Sequence, residues 1–436
     1  MTEEIINALT QLRDLRVAAR TSCFAFKGKT PDLAEVGAKL KVATVLEGSV
    51  RKAGSRLRVT AQLVKVADGY HLWSERYDRE LEDVFAIQDE IAGAIADKLR
   101  VELLETERVK LVEPQTENLE AYALYLKGRA HFHKLTPADC QLAIASYQGA
   151  INLDPDYARA YAGLARVYTM VGGAGPFHLL PPREAYPLAK AAVTKALELD
   201  DRLPEAHTTL GLVRTNHEWD WAGAERAFKR ALELNPNDPD SHAWYAFHLW
   251  LMDRFDEGIA CYSRAMALDP LMPFYESSIG FNQYCARRYD EALQNQKRVL
   301  EKHPDNYHAL WILGMTCVAL GMYPEGEAAY QKVRALIGTV PHLCVVFCEL
   351  YAAWDNLEEA KRYLAELLAL SKQKHVPPAT VGFAYTALGD YDEAFAWLEK
   401  AYEERDPQLR HFHLPVLDPV RTDPRLQAIR RKMGLE

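Results

Sequence analysis

Several things are missing from this chain, and each absence excludes something. No apolar run reaches the roughly 18 residues needed to span a bilayer. The opening segment MTEEIINALTQL has neither the basic lead nor the apolar core of a secretory signal, so a cytoplasmic location is expected. The 7 cysteines are odd in number, scattered and mostly set in apolar helical stretches, which reads as reduced thiols and not as a disulfide framework. Positive charge is also short. Lys and Arg total 52 against 61 Asp and Glu, a net charge of −9. Residues 1–110 hold 18 basic and 18 acidic side chains, and the rest of the chain holds 34 and 43. Neither part has the basic balance of a sequence-independent phosphate binder, so no direct nucleic-acid contact is expected.

Motifs of catalysis and metal binding are missing too. There is no His-Glu-x-x-His, no Gly-x-Ser-x-Gly and no phosphate-binding loop. The glycine-rich GGAG at 172–175 lacks a following Lys-Ser/Thr and reads as a flexible loop. His131 and His133, two apart on a helix, diverge by about 200° and cannot chelate together. His411 and His413 lie in an extended, proline-bounded stretch with no obvious third ligand. Cys344 and Cys348 read as buried small hydrophobes. No enzyme activity, cofactor or metal is expected. The basic cluster Arg51, Lys52, Arg56 and Arg58 reads as a solvated hairpin rim that deters edge pairing.

What is present is ordinary globular composition, 49% apolar and 26% charged, with a repeat inside it. INLDP at 151–155, LELNP at 232–236, MALDP at 266–270 and LEKHP at 300–304 read alike, and LELDD at 197–201 is a fifth copy with Asp201 in the proline slot. The slots fall at 155, 201, 236, 270 and 304, in steps of 46, 35, 34 and 34. The first step is a 34-residue period enlarged by the Gly/Pro-rich insertion VGGAGPFHLLPP at 171–182. Each period holds two helices of about 12–15 residues, the second stopped by the proline. Small residues recur where the two helices must approach. They are Gly128, Gly163, Gly211, Gly280, Gly314 and Gly382 on first helices, and Ala143, Ala189, Ala224, Ala292, Ala360 and Ala394 on second helices. Tyr147, Phe228, Leu364 and Leu398, four positions after such alanines, are expected to fill the adjoining space.

This pattern resembles the tetratricopeptide repeat, most closely through Ile279-Gly280, Tyr289, Ala292 and Pro304, and through Gly382, Tyr385, Gly389, Tyr391, Ala394 and Ala401. The resemblance implies about eight helix pairs over 119–405, wound into a superhelix whose first helices line the concave side. It is weaker in the second unit, which carries the insertion, and in the seventh, where Cys348 replaces the glycine.

The first 110 residues differ. TEEIINALTQL reads as an amphipathic helix, LRVAA at 15–19 as a short strand and PDLAEVGAKLK at 31–41 as a second helix. VATVLEGSVRK and RLRVTAQLVKV flank Ala53-Gly54-Ser55, read as a three-residue hairpin loop. In the second strand Leu57, Val59, Ala61 and Leu63 alternate with Arg56, Arg58, Thr60 and Gln62, so one face is buried and the other wet. YHLWSERY gives a further strand, and a helix with Ile87, Ile91, Ile95 and Leu99 along one stripe closes the module. The stretch VLEGSVRKAGSRLRVTAQLVKVADGYHLWSERYDRELEDVFAIQDEIAGAI is similar to the TolB-like amino-terminal domain, which precedes tetratricopeptide arrays in bacterial signalling proteins. That family has one more strand before the first helix. The resemblance therefore implies a shortened module with an open sheet edge, covered by another chain (self-association) or by its own tail. The expected fold is an α+β amino-terminal domain, a small mixed sheet with helices, followed by an all-α tetratricopeptide superhelix. The expected divisions are 1–110 for the module, 111–118 for a linker, 119–405 for the helix pairs, and 406–436 for a tail with a capping helix.

The family's groove-facing places give Tyr122, Tyr125, Arg129, Phe132, Tyr157, Val167, Tyr168, Thr208, Leu212, Asn216, Phe247, Trp250, Phe281, Tyr284, Trp311 and Phe383. Ten of these are the expected partner contacts: Tyr125, Arg129, Phe132, Tyr168, Asn216, Phe247, Trp250, Phe281, Tyr284 and Trp311. Some family members clamp a partner's terminal carboxylate with basic groove residues, but here Arg129 is nearly alone. An aromatic groove favours an apolar or amphipathic peptide. So large an apolar stripe is expected to be narrow, or covered by the chain's own tail or a partner. The tail HFHLPVLDPVRTDPRLQAIRRKMGLE, with Leu426, Ile429 and Met433 on one helical face, is expected to cap the last repeat. These features read as a noncatalytic interaction scaffold in bacterial signalling. The alternatives are a small-molecule sensor or enzyme with a site between module and array, and a transcription-associated regulator acting through a DNA-binding partner.

Overall fold

A computed structural model describes residues 2–10, 12, 15–29, 31–80, 83–99, 116–173 and 179–435. Most of the linker expected at 111–118 lies outside these residues, as do the end of the closing helix beyond Leu99 and Ala174 and Gly175 of the glycine-rich loop.

The amino-terminal module is built on alternation. Strands β1 (Thr44–Ala53), β2 (Arg56–Lys65) and β3 (His71–Glu80) form a sheet in the order β1-β2-β3. It is antiparallel throughout its described strands, where a mixed sheet was expected. Ala53 pairs with Arg56, so the hairpin closes in two residues, Gly54 and Ser55, not three. Gly54 has φ +62°, a left-handed value that glycine adopts without a Cβ clash. Leu57, Val59, Ala61 and Leu63 turn to one face. There they meet Ile5, Leu9 and Leu12 of helix α1 (Thr2–Thr10) and its exit, and Ile87, Ile91 and Ile95 of α4 (Val84–Lys98). On the wet face Arg58 holds Asp78 through Nε at 3.0 Å and Nη2 at 2.6 Å, so the basic rim is partly neutralised within the sheet.

Between α1 and the sheet lie α2 (Arg20–Phe24) and α3 (Leu33–Leu40), the latter capped by Asp32, which accepts from the Ala34 N–H at 2.9 Å. Residues 15–19 form no strand. LRVAA is apolar enough for one, but two of its backbone groups, the Leu15 carbonyl and the Ala19 N–H, bond the repeat array instead. Asn237 Nδ2 donates to the carbonyls of Thr10, Leu12 and Leu15 at 3.3, 3.2 and 3.2 Å, and the Ala19 N–H donates to Leu268 O at 3.0 Å.

The array runs as successive antiparallel helix pairs. The first four are α5 (Leu119–Phe132) with α6 (Pro137–Leu153), α7 (Ala158–Val171) with α8 (Pro182–Leu199), α9 (Pro204–Val213) with α10 (Trp221–Leu234), and α11 (Pro239–Leu251) with α12 (Phe255–Leu268). The next four are α13 (Pro273–Cys285) with α14 (Tyr289–Lys302), α15 (Tyr307–Ala319) with α16 (Tyr323–Ile337), α17 (Pro341–Ala353) with α18 (Leu357–Ser371), and α19 (Pro378–Ala387) with α20 (Tyr391–Glu403). Pro155, Pro236, Pro270 and Pro304 each stand just beyond the end of a second helix.

The small-residue positions are closed by large side chains. A Cβ on Gly163 would come within 2.6 Å of the Tyr147 ring, on Gly211 within 2.7 Å of Phe228, and on Gly314 within 2.3 Å of Tyr330. In the seventh unit Cys348 fills that position and Tyr363, not Leu364, is the buried partner. Its ring stacks on Phe347 at 4.5 Å. The third pair departs from the pattern by a π turn at Arg214–Glu218, after which Trp219 takes φ +58°.

Beyond α20, two short 3₁₀ turns (Pro407–Arg410 and Pro415–Val420) lead to α21 (Pro424–Lys432). Leu426, Ile429 and Met433 are buried along its inner face. The tail reaches further than the last repeat. Its Leu409, Phe412, Leu417 and Val420 share one apolar core with Trp219, Trp250, Tyr284 and the helices of the rear repeats.

Candidate functional site

The concave side of the array divides into two stretches, each covered by a different part of the same chain. In the rear stretch, Trp250 on α11 is the centre. Its ring lies 5.6 Å from Phe247, 5.2 Å from Phe281, 5.3 Å from His411 and 5.6 Å from His413. The two histidines belong to the tail. His413 Nε2 is 2.7 Å from Leu251 O, and its Nδ1 is 2.6 Å from Asp253 Oδ1. Arg287 Nη1 donates to the His413 carbonyl at 2.9 Å, and the same guanidinium pairs with Asp418. Trp221 Nε1 donates to Met433 O at 2.7 Å and pins the end of α21.

Charge is buried under the tail. Burial lowers Arg410 to about 10, with its guanidinium 5.0 Å above the Phe247 ring, and burial raises the Asp406 carboxyl to about 6. Asp406 accepts from the Ala379 N–H at 2.9 Å and the Gln408 N–H at 2.8 Å, which seats the first 3₁₀ turn on α19. Burial drives His411 well below the ordinary imidazole value, so it is neutral in the fold. The His411/His413 pair is thus spent on aromatic packing and backbone bonds. Among the described residues no group of three or more His, Cys, Asp or Glu is placed to hold a metal.

In the front stretch, α1 and the segment after it lie over α5, α7, α9 and α11. Gln88 Nε2 on α4 donates to Tyr122 OH at 3.2 Å, and Ser22 bonds Asp269. Between α1 and the helices is a cavity of about 210 Å³, with Asn7 and Thr10 on one wall. Tyr125, Arg129, Phe132, Arg159, Arg166 and Asp240 are among the groups on the other.

The ten expected contacts therefore fall into four situations. Trp250 and Tyr284, 1% and 3% exposed, are core beneath the tail, and Phe247 lies beside them under Arg410. Tyr125 is buried between Tyr147 and Tyr157 at 5.9 and 5.1 Å. Tyr168 accepts from Gln148 at 3.2 Å, and Asn216 bonds Leu212 O at 2.8 Å within the π turn. Arg129, above the Tyr125 ring at 5.6 Å, and Phe132 line the front cavity, while Phe281 and Trp311 keep half-buried surface. The family's groove places left out Arg159, Arg166 and Asn237. The two arginines stand seven apart on α7, two helical turns along one face, a spacing that was there to be seen. Asn237 carried no signal, because its three carbonyl partners lie more than 220 residues away.

The tetratricopeptide repeat family matches at residues 220–273 and 283–339, and a second model of the same repeat matches at 380–406. Among curated relatives, a putative adenylate cyclase 3 of Rhizobium meliloti (strain 1021) is 38% identical over 217 residues, covering 49% of this chain. This chain spans 36% of that relative's length. The transcriptional regulator HilA of Salmonella typhimurium is 25% identical over 394 residues, 88% of this chain and 68% of that protein. Among solved structures, PilW, described as a widely conserved type IV pilus biogenesis factor, is 19% identical with a TM-score of 0.41 and covers 50% of this chain and 95% of that one. The MamA protein is 22% identical with a TM-score of 0.31, covering 42% and 92%.

Proposed function

We propose that this tetratricopeptide-repeat chain is a noncatalytic scaffold that binds a protein or peptide partner on the part of its inner face left open between α1 and the tail. The observation that carries this reading is the half-buried pair Phe281 and Trp311. They stand on successive first helices beside a trough whose deeper rings the chain already covers itself. Aromatic side chains with free area at a concave surface supply contact area at low entropic cost. The partner favoured is an apolar or amphipathic segment.

The biological setting we assign is bacterial regulation. The names of the relatives, a transcriptional regulator and a putative adenylate cyclase, support that setting. We also read residues 1–110 as a TolB-like module acting as the regulatory end of the chain. Self-association through a sheet edge remains part of this proposal. Analytical ultracentrifugation of the wild type and of a Val50→Lys variant on β1 tests it, and a monomer at all concentrations would exclude it.

The scaffold reading is tested by affinity capture from a lysate of the source cell with wild type and with Phe281→Ala/Trp311→Ala. Loss of a specific protein from the double variant supports the open inner face. An unchanged set of captured proteins places binding elsewhere. Trp250 and Tyr284 are unsuitable for this test, since truncating either opens the core under the tail.

A further inference from the structure

Phe247, Phe281, Met315, Glu349 and Phe383 occupy the same place on five successive first helices, in steps of 34. Each stands one residue past the small residue that packs on its second helix, so each side chain turns about 100° away from that contact. Phe247, with the Arg410 guanidinium of the tail above its ring, marks this direction as the inner face. Trp250 lies 5.2 Å from Phe281, and Phe281 lies 6.4 Å from Tyr284, so the rings continue along the array. Glu349 breaks this apolar row with a carboxyl, and like Phe281 and Trp311 it is half-buried.

The surroundings of that carboxyl are rings. Burial raises the Tyr284 and Tyr330 phenols well above their ordinary value and the Glu349 charge adds to it, which sets the carboxyl near both. Glu349 makes no hydrogen bond or ion pair among the described residues, and burial raises its carboxyl to about 8. A carboxylate left without a partner in such a wall is a cost to the fold. A Met or Phe, as at the other places in the row, would avoid that cost. The charge complements a cation brought by another molecule.

We propose that Glu349 is the charge-reading contact of the open inner face, and that the partner segment carries a lysine or arginine side chain whose cationic head pairs with it. The stem of that side chain and the apolar residues beside it lie on Phe281 and Trp311. This rests on the partner-binding reading above and adds the chemistry of the segment, apolar with a basic residue set into it. Helices in contact lie about 8–10 Å apart, and an extended chain advances ~3.3 Å per residue. The basic residue therefore falls about three places from the residue that meets Trp311. The pair forms where water is scarce, so it discriminates against a neutral or acidic segment.

The test selects from a random twelve-residue peptide display library on the full chain, using wild type, Glu349→Gln and Phe281→Ala/Trp311→Ala. Gln has the shape of Glu without its charge, so Glu349→Gln keeps the fold. The wild type should enrich peptides with a Lys or Arg among apolar residues. Glu349→Gln should keep the apolar preference and lose the basic one, and the double variant should lose the apolar preference. In fluorescence anisotropy, replacing the basic residue of the strongest peptide by norleucine should weaken wild-type binding roughly tenfold and leave Glu349→Gln binding nearly unchanged. Apolar peptides without a basic residue, lost from the double variant, overturn this inference and leave the partner-binding reading standing. A basic preference that persists in Glu349→Gln is attraction to the net negative chain and overturns it as well. No enriched peptide, or one set of peptides common to all three proteins, overturns both.

Discussion

At the residue scale, two positions separate what periodicity shows from what it hides. Gly314 was legible because the repeat demands a small residue wherever two helices close. Its partner Tyr330 is fully buried and set edge-on to Phe347 at 5.5 Å, so the ring has nowhere to go. Gly314→Ala should cost about 1–3 kcal/mol of stability, read by urea unfolding, and a neutral result would mean that the helix pair relaxes freely. Glu349 was not legible. It stands one residue beyond Cys348 on α17 and makes no hydrogen bond among the described residues, and burial raises its carboxyl to about 8. The folded state therefore prefers the proton that the unfolded chain gives up near pH 4. Stability from this group is complete below about pH 4 and is lost as pH rises through about 8. Glu349→Gln should match the wild type at pH 4 and exceed it by on the order of 2–4 kcal/mol at pH 9. Parallel pH dependence of the two proteins in chemical denaturation would contradict this assignment.

At the element scale, the tail and the segment 10–19 show how far a local pattern reaches. The helical stripe Leu426, Ile429 and Met433 was visible in the sequence, and the structure buries it. Proline spacing before that helix reads as extended chain, yet the segment folds into two 3₁₀ turns because Asp406 and the core around Trp250 give its backbone and side chains partners. Phe412→Ala, which removes a ring from that core, should cost about 3–5 kcal/mol and alter Trp250 emission. A change under about 1 kcal/mol would make the tail a surface lid. Residues 15–19 fail as a strand for the converse reason, since their apolar side chains are right but no strand pairs with them among the described residues and the repeats offer bonds instead. Asn237→Ala removes the side-chain donor shared by the Thr10, Leu12 and Leu15 carbonyls, of which Leu12 O keeps the Leu15 N–H. It should speed amide exchange at α1 and residues 15–19 while leaving α17 and α19 unchanged.

At the scale of the whole molecule, the superhelix curls far enough for its second pair to meet its last. Arg183 at the start of α8 donates to the Glu403 carbonyl, and Arg405 sits 4.1 Å over the Trp219 ring. The tail is enclosed by this turn, so it should unfold with the rear repeats as one unit. Hydrogen exchange checks that, with Leu417 and Ile429 amides expected to be as protected as those of α17, and loop-like exchange in the tail counting against it. The 34-residue period, the small-residue contacts and the two-residue alternation of β2 are local periodicities, and the amino-acid order alone determined them. Helices and strands expose one face by geometry, and the sequence must mark that face wherever it is buried. Which face of the trough stays open was decided only in three dimensions. The groove aromatics carry the same pattern whether a partner or the chain itself covers them. The coverings, α1 and the tail, reach their seats from opposite ends of 436 residues. Contacts of that separation leave no period behind, so Asn237 and the Trp250–His413 packing became readable only once the array had wound them together.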